Sequence, residues 1–215
     1  MNSLPKRLGA ILFSLISTSE QRSTALLLNE TERAACAGEL LRSNRATRDE
    51  LSAILTAARC VSEGKPVPSL GTASSASDHG QEINAAAALS VLLPMISPQQ
   101  RKEVVKLGLQ AHGGQPPDWM QYIFFPEMLL KLSADQRTSL MLNTDIASLA
   151  AWISEQSQSF RDAIKSAMPN SLANALSAAA AGPRRDPALA RNKLSENLVE
   201  EYTSQKLSWV ELISS

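Results

Sequence analysis

The chain predicts an all-α protein built as an array of short helices, and three observations carry that expectation. Alanine and leucine dominate while aromatic residues make up only 4% of the 215 residues, and β-branched residues are scattered, a balance that favours helix over sheet. Helix-start signals recur at close spacing along the whole chain. Short antiparallel helices joined by tight turns stack as right-angled or armadillo-like arrays, which present surfaces rather than deep pockets.

The first element is expected over residues 4–16. Lys6-Arg7 followed by "LGAILFSLI" imitates the basic and apolar regions of a signal peptide. No small-x-small cleavage site follows, however, and "STSEQR" opens another helix instead. Leu8, Ile11, Leu12, Leu15 and Ile16 recur at helical spacing and form one apolar face. Leu26 to Leu28, Leu40, Leu41, Leu51, Ile54 and Leu55 are available to oppose it. A unit this small has little core, so this face is read either as the unit's own core or as completed by a partner.

The next starts share the pattern Ser/Thr/Asn, two residues, Glu/Gln, Arg: "TSEQR" (18–22), "NETER" (29–33), "SPQQR" (97–101) and "SADQR" (133–137). The first side chain accepts the backbone N–H at the third helical position, and the Glu or Gln reaches back to the cap's own N–H. "TRDE" (47–50) is a further capping box without the arginine. Asp186-Pro187 places a cap residue before a first-turn proline.

Residues 63–81, within "SEGKPVPSLGTASSASDHGQ", are rich in Ser, Gly and Pro and poor in apolar residues, the composition of a linker. The expected organisation is therefore a small N-terminal helical unit over 1–62, a linker over 63–81, and a C-terminal armadillo-like helical domain over 82–215. Near "LSAAAAGPRRDP" (residues 176–187), Gly182-Pro183 ends one helix and Asp186-Pro187 starts the next.

Charge and motif content narrow the function. Twenty-one basic and twenty-one acidic residues cancel, so the chain lacks the field of a nucleic-acid or anionic-membrane binder. Cys36 and Cys60, without CxxC or Cys/His spacing, read as buried small hydrophobes in a reducing compartment, with neither disulfide nor zinc expected. The longest other apolar stretch, "INAAAALSVLLPMI", is too short to span a bilayer and contains a proline, which points to a soluble cytoplasmic protein. His79 falls in the linker, and His112 before Gly113-Gly114 reads as a helix C-terminal cap rather than a general base. GxSxG, HExxH and Walker-type glycine loops are absent from the sequence, so no catalytic residue, metal ligand or cofactor is expected. Glu200-Glu201 and Arg184-Arg185 read as solvated faces on their own. Trp119, Tyr122, Phe124 and Phe125 form one aromatic cluster flanked by Pro116-Pro117 and Pro126, read either as core at a helix junction or as an exposed anchor for a partner.

"AILFSLISTSEQRSTALLLNETERAACAGELL" resembles the opening of the N-terminal domain of the bacterial flagellar motor switch protein FliG. The region from "SPQQRKEVV" through "LSENLVEEY" resembles the FliG C-terminal region over about a hundred residues. The family's MFxF segment, methionine-serine turn and GPxR turn correspond to Ile123-Phe124-Phe125-Pro126, Met168-Pro169 and Gly182-Pro183-Arg184-Arg185. The resemblance implies a ring-building adaptor that attaches through its N-terminal domain to an inner-membrane ring, stacks on neighbouring subunits and binds lower cytoplasmic-ring proteins.

The departures from the family are equally specific. An EHPQ-type segment is missing, and the charges of the family's torque helix fall on Ser154, Ser171 and Ala178-Ala179, leaving only the GPxR arginine, Arg185. Exposed charges steer transient contacts, and alanines do not, so the resemblance points away from a stator partner. Pro126 replaces flexibility at the MFxF hinge with a fixed torsion. A reduced FliG-like chain without motor charges implies a non-enzymatic adaptor of the injectisome, the non-flagellar type III secretion apparatus. It would link an inner-membrane ring protein to the cytoplasmic sorting platform at the inner face of the membrane, with self-association in a ring as a further expectation. The expected partner-binding residues are Leu8, Ile11, Leu12, Leu15, Trp119, Phe124, Phe125, Arg184 and Arg185. A divergent flagellar switch protein and a freestanding helical binding module are the alternative readings.

Overall fold

A computed structural model describes residues 5–67, 80–183 and 185–214, and the all-α expectation holds in it. Among the described residues thirteen α-helices follow one another: α1 (Lys6–Leu15), α2 (Thr18–Leu27), α3 (Glu30–Arg42), α4 (Arg48–Ser62), α5 (Ala85–Leu92), α6 (Pro98–Gln110), α7 (Glu127–Lys131), α8 (Ala134–Leu142), α9 (Ile146–Ser154), α10 (Gln158–Ser166), α11 (Asn170–Ala180), α12 (Pro187–Thr203) and α13 (Trp209–Ser214). Two 3₁₀ turns, Leu93–Met95 and Asp118–Tyr122, interrupt them. The only strands described, β1 (Arg45–Ala46) and β2 (Gln81–Glu82), pair antiparallel with Arg45 opposite Glu82. The end of the expected linker is therefore a paired strand, while residues 68–79, including His79, lie outside the described residues.

Many of the helices are stopped and restarted by local hydrogen bonds. Full capping boxes form at Asn29/Glu32, Thr47/Glu50 and Ser133/Gln136, as the sequence predicts. The "TSEQR" box forms one residue earlier than predicted, with Ser17 as cap and Glu20 as its partner. At "SPQQR" the cap is Ser97, but its backbone N–H goes to Glu30 Oε1 of α3 at 2.8 Å instead of to Gln100. That contact, first through the Ser97 hydroxyl and then through its N–H, holds the Glu30 carboxyl below the usual carboxylate range.

The residue four places after the caps Ser17, Asn29 and Ser133 explains the shifted box. Gln21 Nε2 donates to Phe13 O at 3.1 Å, Arg33 Nε to Ala25 O at 2.8 Å and Arg137 Nε to Leu129 O at 2.9 Å, each reaching back eight residues onto the preceding helix. Arg161, four places after Ser157, donates to Ser154 O at 2.8 Å. The last carbonyls of a helix have no partner within it and carry the negative end of its dipole. A donor from the next helix satisfies them and sets the corner. In the first corner this donor is Gln21, and Arg22 is left exposed.

By contacts the chain divides into two units, Met1–Ile123 with Ile213–Ser215, and Phe124–Leu212. The expected division at the linker is thus corrected. The physical reason is α3, which packs along α6 and α5 as well as α1, so the helices after the linker complete the first unit's core. Arg33 adds a bond from α3 to Met95 O at 2.9 Å. In the second unit α9 is the central helix, packed on α11 and α12.

Gly108 is required where α6 crosses α3. A Cβ there would lie 2.6 Å from the Cβ of Leu41, a side chain that is itself fully buried. Gly108→Ala is therefore expected to destabilise the first unit by about 2 kcal/mol through overpacking, outweighing the better helix propensity of alanine. Thermal unfolding followed by circular dichroism checks this, and a variant as stable as the parent would refute the crossing geometry.

Candidate interaction site

The apolar face of α1 divides between core and surface. Leu8 and Ile11 are buried in the first unit, taken up by the packing of α1 on α3 and α5. They are core residues, which corrects their assignment to a partner. Leu12 is half-buried and Leu15 exposed. The opposing set changes as well: Leu28, Leu40, Leu41 and Ile54 are buried, but Leu26, Leu27 and Leu55 are 70%, 86% and 71% exposed. Helical phase is the reason. α2 turns Gln21 and Ala25 inward, and a 3.6-residue period places Leu26 and Leu27 off that stripe.

The four aromatic residues expected as one cluster belong to different units. Phe124 and Phe125 are buried, and Phe124 continues into Trp152 and Phe160 with ring centroids 5.9 Å apart at each step, the second edge-on. They are core of the second unit, not exposed anchors. Trp119 and Tyr122 sit in the first unit, in the 3₁₀ turn that follows Pro116-Pro117. Trp119 is half-buried, with its ring edge-on to His112 at 6.3 Å. Tyr122 is 54% exposed.

His112 caps a different helix from the one predicted. Its Nε2 lies 2.9 Å from Leu41 O, so it donates to the C-terminal end of α3. The end of α6 is closed instead by Gly113 and Gly114, with φ of 67° and 86°, and by the Gly114 N–H on Leu109 O at 2.8 Å, an αL stop that favours glycine.

Between the β1–β2 ladder and the Asp118–Tyr122 turn lies an open cleft of about 810 Å³. Asn44, Arg45 and Glu82 line one side and Asp118, Trp119 and Tyr122 the other. Asn44 Nδ2 donates to Glu82 Oε1 at 3.1 Å. Arg7 holds the ladder to the helices: its guanidinium donates to Arg45 O, to Glu39 O at 2.9 Å and to Ser43 O at 3.2 Å. The sequence reading found Trp119 but missed Glu82 and Asp118. Asp118 adjoins the aromatic signal, whereas nothing local connects Glu82 to it.

Arg184 lies outside the described residues. Arg185 is exposed and lines a hollow of about 360 Å³ with Thr144, Asp145, Ser148 and Lys193. Asp145 caps α9 through Ser148 N–H at 2.8 Å. That N–H, then the Ser148 hydroxyl, and more distantly Arg185 hold its carboxyl below its ordinary range. Asp186 caps α12 ahead of Pro187, as predicted. On α11, Leu172 and Leu176 point inward, Ala178 is exposed and Ala179 half-buried. An apolar hollow of about 220 Å³ lies among α9, α10 and α11, lined by Ile153, Ile164, Met168 and Leu176.

Two reactive groups elsewhere, Cys36 and Tyr202, are buried. Burial pushes the Cys36 thiol up to about 12, with Glu39 adding to the effect, which makes it a poor nucleophile. Cys60 is half-buried and also free. Burial likewise raises the Tyr202 phenol. No group of three or more His, Cys, Asp or Glu residues suited to a metal occurs among the described residues. No helix among them is long and apolar enough to cross a membrane. Comparison with models of known protein families finds no match, and no curated protein sequence matches the chain.

Proposed function

We propose that the chain is a non-enzymatic adaptor of an injectisome-type secretion apparatus, joining an inner-membrane ring protein to the cytoplasmic sorting platform. The observation that carries the reading is the pair Leu26-Leu27 at the end of α2, two adjacent large apolar side chains left 70% and 86% exposed. They stand on a helix whose ends are fixed, by the Ser17/Glu20 box at one end and by Arg33 on Ala25 O at the other. Rigid helix corners that hold apolar side chains in water suit docking, because association then costs little ordering of the surface. The resemblance to FliG supplies the assembly in which such docking would serve. On this reading the chain works at the inner face of the bacterial inner membrane, held there by protein partners.

Ala178 and Ala179, where the flagellar family has paired acids, favour the injectisome over a flagellar motor. Neither alanine offers a charge to register a stator contact. The test is affinity purification of the tagged chain from the bacterium that carries it. Inner-ring and platform proteins are expected to co-purify, and deletion of the gene is expected to stop secretion of the exported substrates. A Leu26→Asp/Leu27→Asp double variant should keep its helical circular dichroism yet lose at least one of those partners. Intact secretion after deletion, with no ring or platform protein recovered, would overturn the proposal.

A further inference from the structure

The cleft between the β1–β2 ladder and the Asp118–Tyr122 turn combines charge and aromatic surface in a way that selects a ligand. We infer that it receives an arginine side chain presented by an exposed segment of a partner protein. The inference concerns the chemistry of this cleft and does not rest on the secretion reading.

Charge is the first argument. Glu82 and Asp118 both line the cleft, and neither forms a salt bridge among the described residues. Arg45 contributes one positive charge to the same lining, so among the described lining residues the carboxylates outnumber the cations. An apolar helix laid in the cleft would bury two carboxylates against the single cation of Arg45, leaving one charge uncompensated at a high desolvation cost. An acidic segment would be repelled.

Aromatic surface is the second argument. Trp119 is half-buried and braced by His112, while Tyr122 is more than half exposed. Trp and Tyr are the side chains that most often carry binding energy, as rigid rings that lose little entropy on contact. A guanidinium answers both features at once, since its face stacks on an aromatic ring while its edge forks onto a carboxylate. A lysine ammonium is a point charge that satisfies the carboxylates but does not stack as a plane. The volume of about 810 Å³ leaves room for the guanidinium and for the backbone that carries it.

The walls are fixed before any ligand arrives. Glu82 is paired in the ladder opposite Arg45 and tied to Asn44, and Asp118 opens a turn that follows two prolines. Preorganised donors and acceptors raise affinity by sparing the cost of ordering them.

The test titrates the ¹⁵N-labelled full chain with the peptide acetyl-Gly-Ser-Arg-Ser-Gly-amide, beside versions carrying lysine, citrulline or glutamate in place of arginine. The arginine peptide is expected to shift the Trp119 indole and Asn44 signals with a dissociation constant on the order of 1 mM, weakened by added salt. Citrulline, which keeps the shape and loses the charge, should bind at least about fivefold more weakly. Glu82→Gln and Asp118→Asn should each weaken the arginine peptide at least about threefold while leaving the rest of the amide spectrum unchanged. Tyr122→Ser, at an exposed position, is the second variant should either of these disturb the fold, and it should weaken binding similarly. Equal shifts by citrulline or glutamate, equal binding of lysine, no shift at Trp119 and Asn44, or full affinity in the variants that remain folded would each overturn the inference.

Discussion

Arg137→Met is expected to destabilise the Phe124–Leu212 unit by about 3 kcal/mol, among the largest single-residue effects in the chain. The Arg137 side chain is buried and spends its donors on three backbone carbonyls. Nε meets Leu129 O at 2.9 Å, one terminal nitrogen meets Leu132 O at 2.6 Å, and the other meets Ala167 O at 2.5 Å. Leu129 and Leu132 belong to α7 and its C-cap, and Ala167 is the C-cap of α10. One planar group thus closes the ends of two helices. Methionine refills much of the volume but leaves those carbonyls without this donor in a place water does not readily reach. Lysine restores the charge without the fork, so Arg137→Lys should recover less than half of the loss. Thermal unfolding by circular dichroism should show the midpoint of this unit falling by about 10 °C or more. Arg22→Met, at the arginine that the sequence pattern makes equivalent but the structure leaves exposed, should stay within about 0.5 kcal/mol of the parent. A fall in midpoint no larger for Arg137→Met than for Arg22→Met would refute the corner role.

Arg7→Met should cost the first unit about 2 to 3 kcal/mol, by a partly different route. Arg7 Nε lies 3.3 Å from Glu50 Oε1, and the Glu50 side chain is only 6% exposed. Removing the cation strands a buried carboxylate and also leaves Glu39 O, Ser43 O and Arg45 O without this donor. Adding Glu50→Gln should return about 1 kcal/mol, because the charge is removed while the side chain still accepts the Thr47 N–H that it meets at 2.7 Å. A double-mutant cycle by urea unfolding isolates that coupling. Strict additivity of the two changes would show that the ion pair contributes nothing and that the carbonyl bonds carry the effect alone.

What the sequence determined by itself is the local grammar of the chain. Helix starts at Asn29, Thr47 and Ser133 were legible because a capping box is closed by residues three apart, and the start at Asp186 because a cap residue directly precedes a first-turn proline, all within a single turn. The same locality makes the short-helix, all-α class legible from composition and cap spacing. The failures are equally physical. Ser17 and not Thr18 caps α2, because Gln21 and not Arg22 reaches Phe13 O, and only the preceding helix can decide between those phases. Leu8 and Leu15 share one apolar pattern, yet α3 and α5 bury the first and leave the second in water.

Tertiary structure alone decided where the units divide and which residues face one another. α6 crosses α3 so closely at Gly108 that the segment after the Ser/Gly/Pro stretch belongs to the first core, whatever its composition says of a linker. Adjacent aromatics separate at Ile123/Phe124, with Phe124 and Phe125 in one core and Trp119 and Tyr122 on the wall of a cleft. That cleft also needs Glu82, brought to it by a two-residue strand paired with Arg45. Helix caps are set by neighbours along the chain and so can be read from it, whereas burial and charge pairing depend on segments tens of residues apart meeting in space.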